Sequence, residues 1–314
     1  MSSTDSGALD GTSSRWERMA LASARIPFRL KVAVVWICIF LVVAAFFALA
    51  DFDTQFMRDE FGFIFAGLKY TLYMAVVGIV MAVVLATFGA LGRLSSNPIA
   101  YGISGFYVSF FRGTPLLVQL SLIYSALPQI GNNLVSKYSS VPASTATYLT
   151  LSVTVAGMLA LGLNYGAYMT EIFRAGIQSV SGGQAEAADA LGMTYQQKMR
   201  KVILPQALRV IIPPTGNEFI AMMKDTALVS FLGAILTQSE IFRRASYVGT
   251  SHFKNLEALL IAAGLYWALT VIFTFFQRRL ESRLARGYVR TATARVPAHH
   301  STGIPHGQGG LSGT

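Results

Sequence analysis

The stretch Glu186-Ala187-Ala188-Asp189-Ala190-Leu191-Gly192, followed after nine residues by Val202-Ile203-Leu204-Pro205, lies between two long apolar runs at 146–168 and 211–236. A polar, alanine-rich segment caught between such runs reads as a loop joining membrane spans. A helical span needs about 20 mostly apolar residues. Four further runs approach that length, at 32–50, 70–91, 113–127 (with an apolar start near 103) and 256–276. None alternates apolar with polar residues, which argues against strands. The expectation is an all-α, polytopic integral membrane protein with about six transmembrane helices.

Composition agrees. Hydrophobic residues make up 53% of the 314-residue chain and charged residues 13%, against about 25% charged in a soluble domain. Mean hydropathy is +0.51. A net charge of +10 is compatible with nucleic-acid binding, but the lysines and arginines are divided among short segments flanking the apolar runs. That is the membrane pattern, and no nucleic-acid partner is expected. Counted by alternate loops, 18 of the 25 basic residues fall on one side. The excess places both termini in the cytoplasm, together with the loop at 174–209. The opposite face opens with Asp51, Asp53, Asp59 and Glu60.

Cys38 is the single cysteine, so no internal disulfide and no cysteine metal site is expected. His299, His300 and His306 lie in a Gly/Ser/Thr-rich tail, read as solvated chain rather than a metal site. The run at 32–50 is longer than a signal-peptide core, so it is read as a retained span, although Ala48-Leu49-Ala50 resembles a cleavage site.

The loop itself reads as a docking element. As a helix, Gln184, Ala187, Ala188, Leu191 and Tyr195 share one face. Small alanines let such a helix sit deep in a partner's groove. Glu186 suits the positive end of the helix dipole. Gly192 can end the helix, and Pro205 after Leu204 suits the first turn of the returning span.

The spacing of this stretch resembles the EAA loop of importer permeases of the ATP-binding cassette superfamily. Further stretches are similar to permeases for polar amino acids of the histidine, glutamine and arginine type. They are Phe111-Arg112-Gly113-Thr114-Pro115-Leu116-Leu117-Val118-Gln119, the segment from Gly166 to Ile177, Pro205-Gln206-Ala207, Gly216-Asn217-Glu218-Phe219-Ile220 and Lys224-Asp225-Thr226. The resemblance implies a permease domain over 61–286 with a coupling loop at 184–205. The span at 32–50 is then an added helix outside the usual five-helix core. Residues 1–31 and 287–314 become cytoplasmic tails, the latter disordered.

From the resemblance, Glu186, Ala187, Ala188, Gly192, Leu204 and Pro205 are expected to couple to a separate ATPase. The implied partners are a dimer of ATP-binding cassette ATPase subunits, a second permease subunit, an extracytoplasmic solute-binding protein and a polar amino acid. The implied location is the bacterial plasma membrane. The chain has no phosphate-cradling Gly-x-x-x-x-Gly-Lys-Ser/Thr loop. No catalytic residue, cofactor or metal is expected in it, and ATP and Mg belong to the partner subunit.

A candidate substrate pathway follows from polar groups inside apolar runs. Charge at membrane depth is expensive and marks functional sites. Pro213-Pro214-Thr215-Gly216-Asn217-Glu218 interrupts the fifth run, and interrupted backbone survives there only where protein or water satisfies it. A zwitterionic ligand needs donors for its carboxylate and acceptors for its ammonium. Arg112, Thr114, Gln119, Asn164, Tyr168, Asn217, Glu218, Lys224, Asp225 and Thr226 are the candidates. Broken helices and buried carboxylates also suit an ion-gradient-driven secondary amino-acid transporter, the alternative reading.

Overall fold

The structure is a computed structural model that describes residues 27–284. The expectations for most of the first tail and for the last tail lie outside the described residues. In chain order the helices are α1 (Phe28–Leu49), α2 (Thr54–Phe65), α3 (Leu68–Leu94), α4 (Pro98–Gly113), α5 (Leu116–Lys137), α6 (Ser144–Leu149) and α7 (Val153–Gln178). They continue as α8 (Gly182–Ala190), α9 (Tyr195–Lys198), α10 (Leu204–Asp225), α11 (Ile241–Ser251) and α12 (Asn255–Leu284). A π-helical turn at Met199–Ile203 joins α9 to α10, and a 3₁₀ helix at Thr226–Leu232 follows α10. No strand occurs among the described residues.

The chain divides into two compact units. The first holds residues up to Leu68 and Glu240–Leu265. Within it, α1 is apolar all round and buries no residue. At 22 residues it is about 33 Å long, enough for the ~30 Å hydrocarbon core of a bilayer. The Asp53 carboxylate caps α2 by accepting the Phe56 N–H at 2.9 Å. That bond holds Asp53 below the usual carboxylate range, aided by Lys254, whose Nζ lies 3.6 Å away. Glu240 caps α11 by accepting the Phe242 and Arg243 amides. The Arg244 guanidinium lies over the Phe63 ring and donates to its carbonyl.

The second unit holds Lys69–Ser239 and the chain from Tyr266 onward. Its centre is α7, against which α3, α4, α5 and α10 pack. The buried stripe of α3 is mostly small: Thr71, Ala75, Gly78, Ala82, Ala86, Gly89 and Ala90. Such stripes let membrane helices approach until their backbones nearly touch, where dispersion and weak hydrogen bonds replace a hydrophobic drive. Gly162 faces Met81, and Gly166 faces Leu85 and the Tyr107 hydroxyl. A side chain at either position would collide with those neighbours. Met74, Leu120, Leu161, Met169 and Met222 fill the remaining space.

Several elements differ from the sequence reading. Three stretches are long and apolar enough to span by themselves: Phe28–Leu49, Thr54–Leu94 and Asn255–Leu284. A fourth is the pair Pro98–Gly113 and Leu116–Lys137, bent by 108°. The helices α7 and α10 have 26 and 22 residues. Their polar residues make them less apolar than the other spans, and the two pack against each other. The fourth span begins at Val153; residues 144–149 form a separate short helix. Pro213-Pro214 lies inside α10 without breaking it, and the helix gives way only at Thr226. Tandem prolines remove two N–H donors, and just beyond them the Thr215 hydroxyl donates to the Ile211 carbonyl.

Candidate functional site

The α4–α5 bend builds the first half of a polar site. Asn97 caps α4, and Pro98 occupies its first turn. The helix stops where Thr114 and Pro115 are extended. A helix end leaves carbonyls without intrahelical partners, and here two buried amides satisfy them. Gln119, 2% exposed, donates to the Phe111 carbonyl at 2.9 Å and to the Thr114 carbonyl and hydroxyl at 3.0 and 2.7 Å. Asn164 of α7 donates to the same Phe111 carbonyl at 3.1 Å and to Gln119 Oε1 at 3.0 Å. The Tyr107 hydroxyl donates to the Leu163 carbonyl at 2.7 Å. The bend is thus riveted to α7 by hydrogen bonds.

Beside this rivet lies a cavity of about 330 Å³, lined by Thr114, Pro115, Leu116, Asn164, Tyr165, Tyr168, Glu218 and Asp225. That volume lies in the range of small-molecule sites. Asn164, Tyr165 and Tyr168 share one face of α7, while Glu218 and Asp225 stand two turns apart on α10. The Tyr165 hydroxyl donates to Asp225 Oδ2 at 2.8 Å. The Arg112 guanidinium sits over the Tyr168 ring, 5.2 Å from its centre. The site therefore offers two carboxylates, one guanidinium, two phenols and an amide.

Of the ten pathway candidates, the structure gathers Thr114, Asn164, Tyr168, Glu218 and Asp225 on the cavity wall. Arg112 adjoins it through Tyr168. Gln119 is enclosed behind it as part of the rivet. Asn217 points instead to Gln277 of α12, Lys224 is exposed, and Thr226 is fully buried, donating to the Met223 carbonyl. Tyr165, the partner of Asp225, was not among the candidates. Its signal was its place one residue from Asn164 and one turn from Tyr168 on a helix.

The docking stretch folds as α8, a turn and α9. Gly192 adopts φ +71°, the left-handed conformation that glycine takes without strain. The Met193 amide returns to the Ala188 carbonyl, and the Gly192 amide to that of Asp189. Lys198 reaches back to both Asp189 oxygens at 2.7 and 2.8 Å, and Thr194 and Gln197 form a capping box on α9. The helix ends at Ala190, so the single face expected through Tyr195 is interrupted by the turn. Ala188 is buried against the chain, whereas Glu186 and Ala187 are exposed. Leu191 and Tyr195 are 77% and 68% exposed, large apolar groups on an otherwise polar knob. Leu204 and Pro205 open α10 and are also exposed.

Residues 75–286 match the family described as binding-protein-dependent transport system inner membrane component. The chain belongs to this family. The arginine transport system permease protein ArgU of Corynebacterium glutamicum is 38% identical over 72% of this chain and 69% of its own length. The probable amino-acid permease protein YxeN of Bacillus subtilis is 38% identical over 75% of this chain and 97% of its own. A crystal structure of an amino acid ABC transporter with histidines superposes with a TM-score of 0.64 at 35% identity, covering 74% of this chain and 98% of that one. A methionine ABC transporter in an inward-facing conformation has a TM-score of 0.54 at 18% identity and supports the fold alone.

Membership makes this chain a multi-pass permease of the inner membrane that works in an ATP-driven, binding-protein-dependent importer. The ion-gradient-driven alternative is thereby set aside. The family uses ATPase and binding-protein partners, and among the described residues no cluster suits a metal ion.

Proposed function

We propose that this permease conducts polar amino acids through the cavity at the α4–α5 bend, powered by an ATPase dimer docked on the α8–α9 knob. The observation that carries the reading is the cavity itself. A free amino acid presents an ammonium, a carboxylate and a side chain. Glu218 and Asp225 supply acceptors for cationic groups, while Arg112 at the rim supplies a donor for a carboxylate. The phenols of Tyr165 and Tyr168 and the Asn164 amide complete a polar wall at membrane depth, where an unpaired polar group is costly. The relatives for arginine, glutamine and cystine support the substrate class.

Coupling is read from the knob. Leu191 and Tyr195 are the apolar anchors, Glu186 and Ala187 the exposed edge, and Gly192 sets the turn between them. Gly176 packs on Ile211, tying the end of α7 to the start of α10 on either side of the knob. A push on α8–α9 is thus delivered to both helices that carry the cavity residues. In this proposal a second permease subunit completes the path, ATP and Mg are bound by the partner, both termini are cytoplasmic, and a binding protein delivers substrate to the opposite face.

The test is affinity purification in mild detergent followed by reconstitution. The proposal expects a co-purifying ATPase subunit and uptake of radiolabelled arginine, glutamine or cystine that requires ATP and the binding protein. Uptake by the isolated chain driven by an ion gradient would overturn it.

A further inference from the structure

One polar contact in the second unit is used neither by the cavity nor by the knob. In α10, Pro213 and Pro214 lack N–H groups, so the Arg209 and Val210 carbonyls lose their intrahelical donors. Thr215 bonds back to the Ile211 carbonyl, an arrangement that bends helices. Gly216 follows and adds no side chain. This turn is the weakest in α10, and it lies between the knob and Glu218.

The Gln277 side chain of α12 lies across it. Its Nε2 donates to the Pro213 carbonyl at 3.2 Å, to Asn217 Oδ1 at 2.8 Å and to Glu281 Oε1 at 3.0 Å. A Cβ at position 216 would stand 3.1 Å from Gln277 Cγ and 3.2 Å from Cδ, so the missing side chain makes room for this contact. Phe219 and Phe273 meet edge to face one turn further along, and keep the two helices together whether or not the amide is engaged.

The amide is unevenly satisfied. Three acceptors share an NH₂ with two protons, while Gln277 Oε1 is buried without a hydrogen-bond partner. Rotating the amide would set its oxygen against three acceptors, so the observed orientation is the better one. A buried acceptor left unpaired offsets much of what the three donations contribute. The contact is therefore specific in geometry but cheap to release, the property required of a catch rather than a rivet. At the α4–α5 bend the Gln119 amide differs in one respect: its Oε1 does accept a hydrogen bond, from Asn164.

We propose that Gln277 is a positioning residue for the transport cycle: a releasable latch across the proline turn of α10 that holds the cavity half of that helix until the docked ATPase moves the knob. It rests on the ATP-driven reading, and a wild-type complex that shows binding-protein-stimulated ATP hydrolysis secures that reading independently.

The experiment uses the complete complex, permease with its ATPase and binding protein, in liposomes. Gln277→Leu keeps the volume without the amide, and Gln277→Glu points carboxylate oxygens at three acceptors. Both are expected to raise ATP hydrolysis in the absence of binding protein by about fivefold, the size of one net hydrogen bond, at wild-type yield. Gly216→Ala is expected to do the same by displacing Gln277, and to add nothing in a Gln277→Ala background. In a Cys38→Ser background, Asn217→Cys and Gln277→Cys joined by a short bis-methanethiosulfonate are expected to stop stimulated hydrolysis, with recovery on reduction. Variants that fold with wild-type basal hydrolysis, or a cross-linked complex that still turns over at the wild-type rate, would overturn the latch.

Discussion

Asp225 accepts the Tyr165 hydroxyl on Oδ2 at 2.8 Å and lines the cavity. Among the described residues no hydrogen bond reaches Glu218, though it lies on the same wall. Removing a charge from such a place costs a ligand a charge-assisted hydrogen bond of about 1.5–3 kcal/mol, roughly 10- to 100-fold. Glu218→Gln and Asp225→Asn are each expected to lower amino-acid uptake by that order in reconstituted complexes, with yield unchanged. Tyr165→Phe, which frees an Asp225 oxygen without removing charge, is expected to act more weakly, by about fivefold. Wild-type uptake in both carboxylate variants would take the two residues out of the path. These side chains were legible in the sequence because a carboxylate in an apolar run has few structural uses. Tyr165 was legible only as an amphipathic group beside Asn164 and Tyr168, since an aromatic phenol in such a run is equally at home in lipid-facing or core positions. Gln119 and Asn164 were legible as polar groups at depth, but nothing in one sequence separates a ligand contact from a carbonyl partner. That distinction depends on where α4 stops, which the Thr114-Pro115 pair marks only in retrospect.

At the scale of elements, the knob depends on its turn. Gly192→Val puts a β-branched side chain at φ +71°, which costs about 1–2 kcal/mol and is relieved only if the turn reorganises. The α8–α9 junction then shifts and Leu191 is displaced. The expected outcome is loss of ATPase co-purification, while thermal unfolding of the detergent-solubilised permease changes little. Leu191→Asp, at an exposed position without strain, is expected to give the same loss and serves as the control for folding. Co-purification at wild-type yield from both variants would detach the knob from the ATPase. The capping of α9 by Thr194 and the entry of Leu204-Pro205 into α10 are the parts of this region that local chemistry dictates. Gly192, left-handed just past α8, likewise ends that helix, whereas the π-helical turn at Met199–Ile203 has no such local signal. Nor does helical periodicity encode the contact between Asp189 and Lys198, nine residues apart.

At the scale of the molecule, apolar length and charge asymmetry foretold an all-helical membrane protein. The helix count was less legible where the spans turn inward. The runs at 146–168 and 211–236 became α7 and α10, whose Asn164, Tyr165, Glu218 and Asp225 line protein rather than lipid, so hydropathy alone misplaces their ends. Proline was also ambiguous: Pro115 marks a 108° bend, while Pro213-Pro214 is carried within a helix. The difference lies in the neighbours. Extended Thr114 precedes Pro115 and ends α4, whereas the residues on both sides of Pro213-Pro214 stay helical.

Coupling to the ATPase requires the knob to lie on the cytoplasmic side of the membrane. The direct measurement is Ala190→Cys in a Cys38→Ser background, treated with a membrane-impermeant maleimide in intact spheroplasts and in inverted vesicles. Labelling is expected in inverted vesicles only, and is reduced when the ATPase subunit is present. Labelling of Ala190→Cys in intact spheroplasts would contradict that placement.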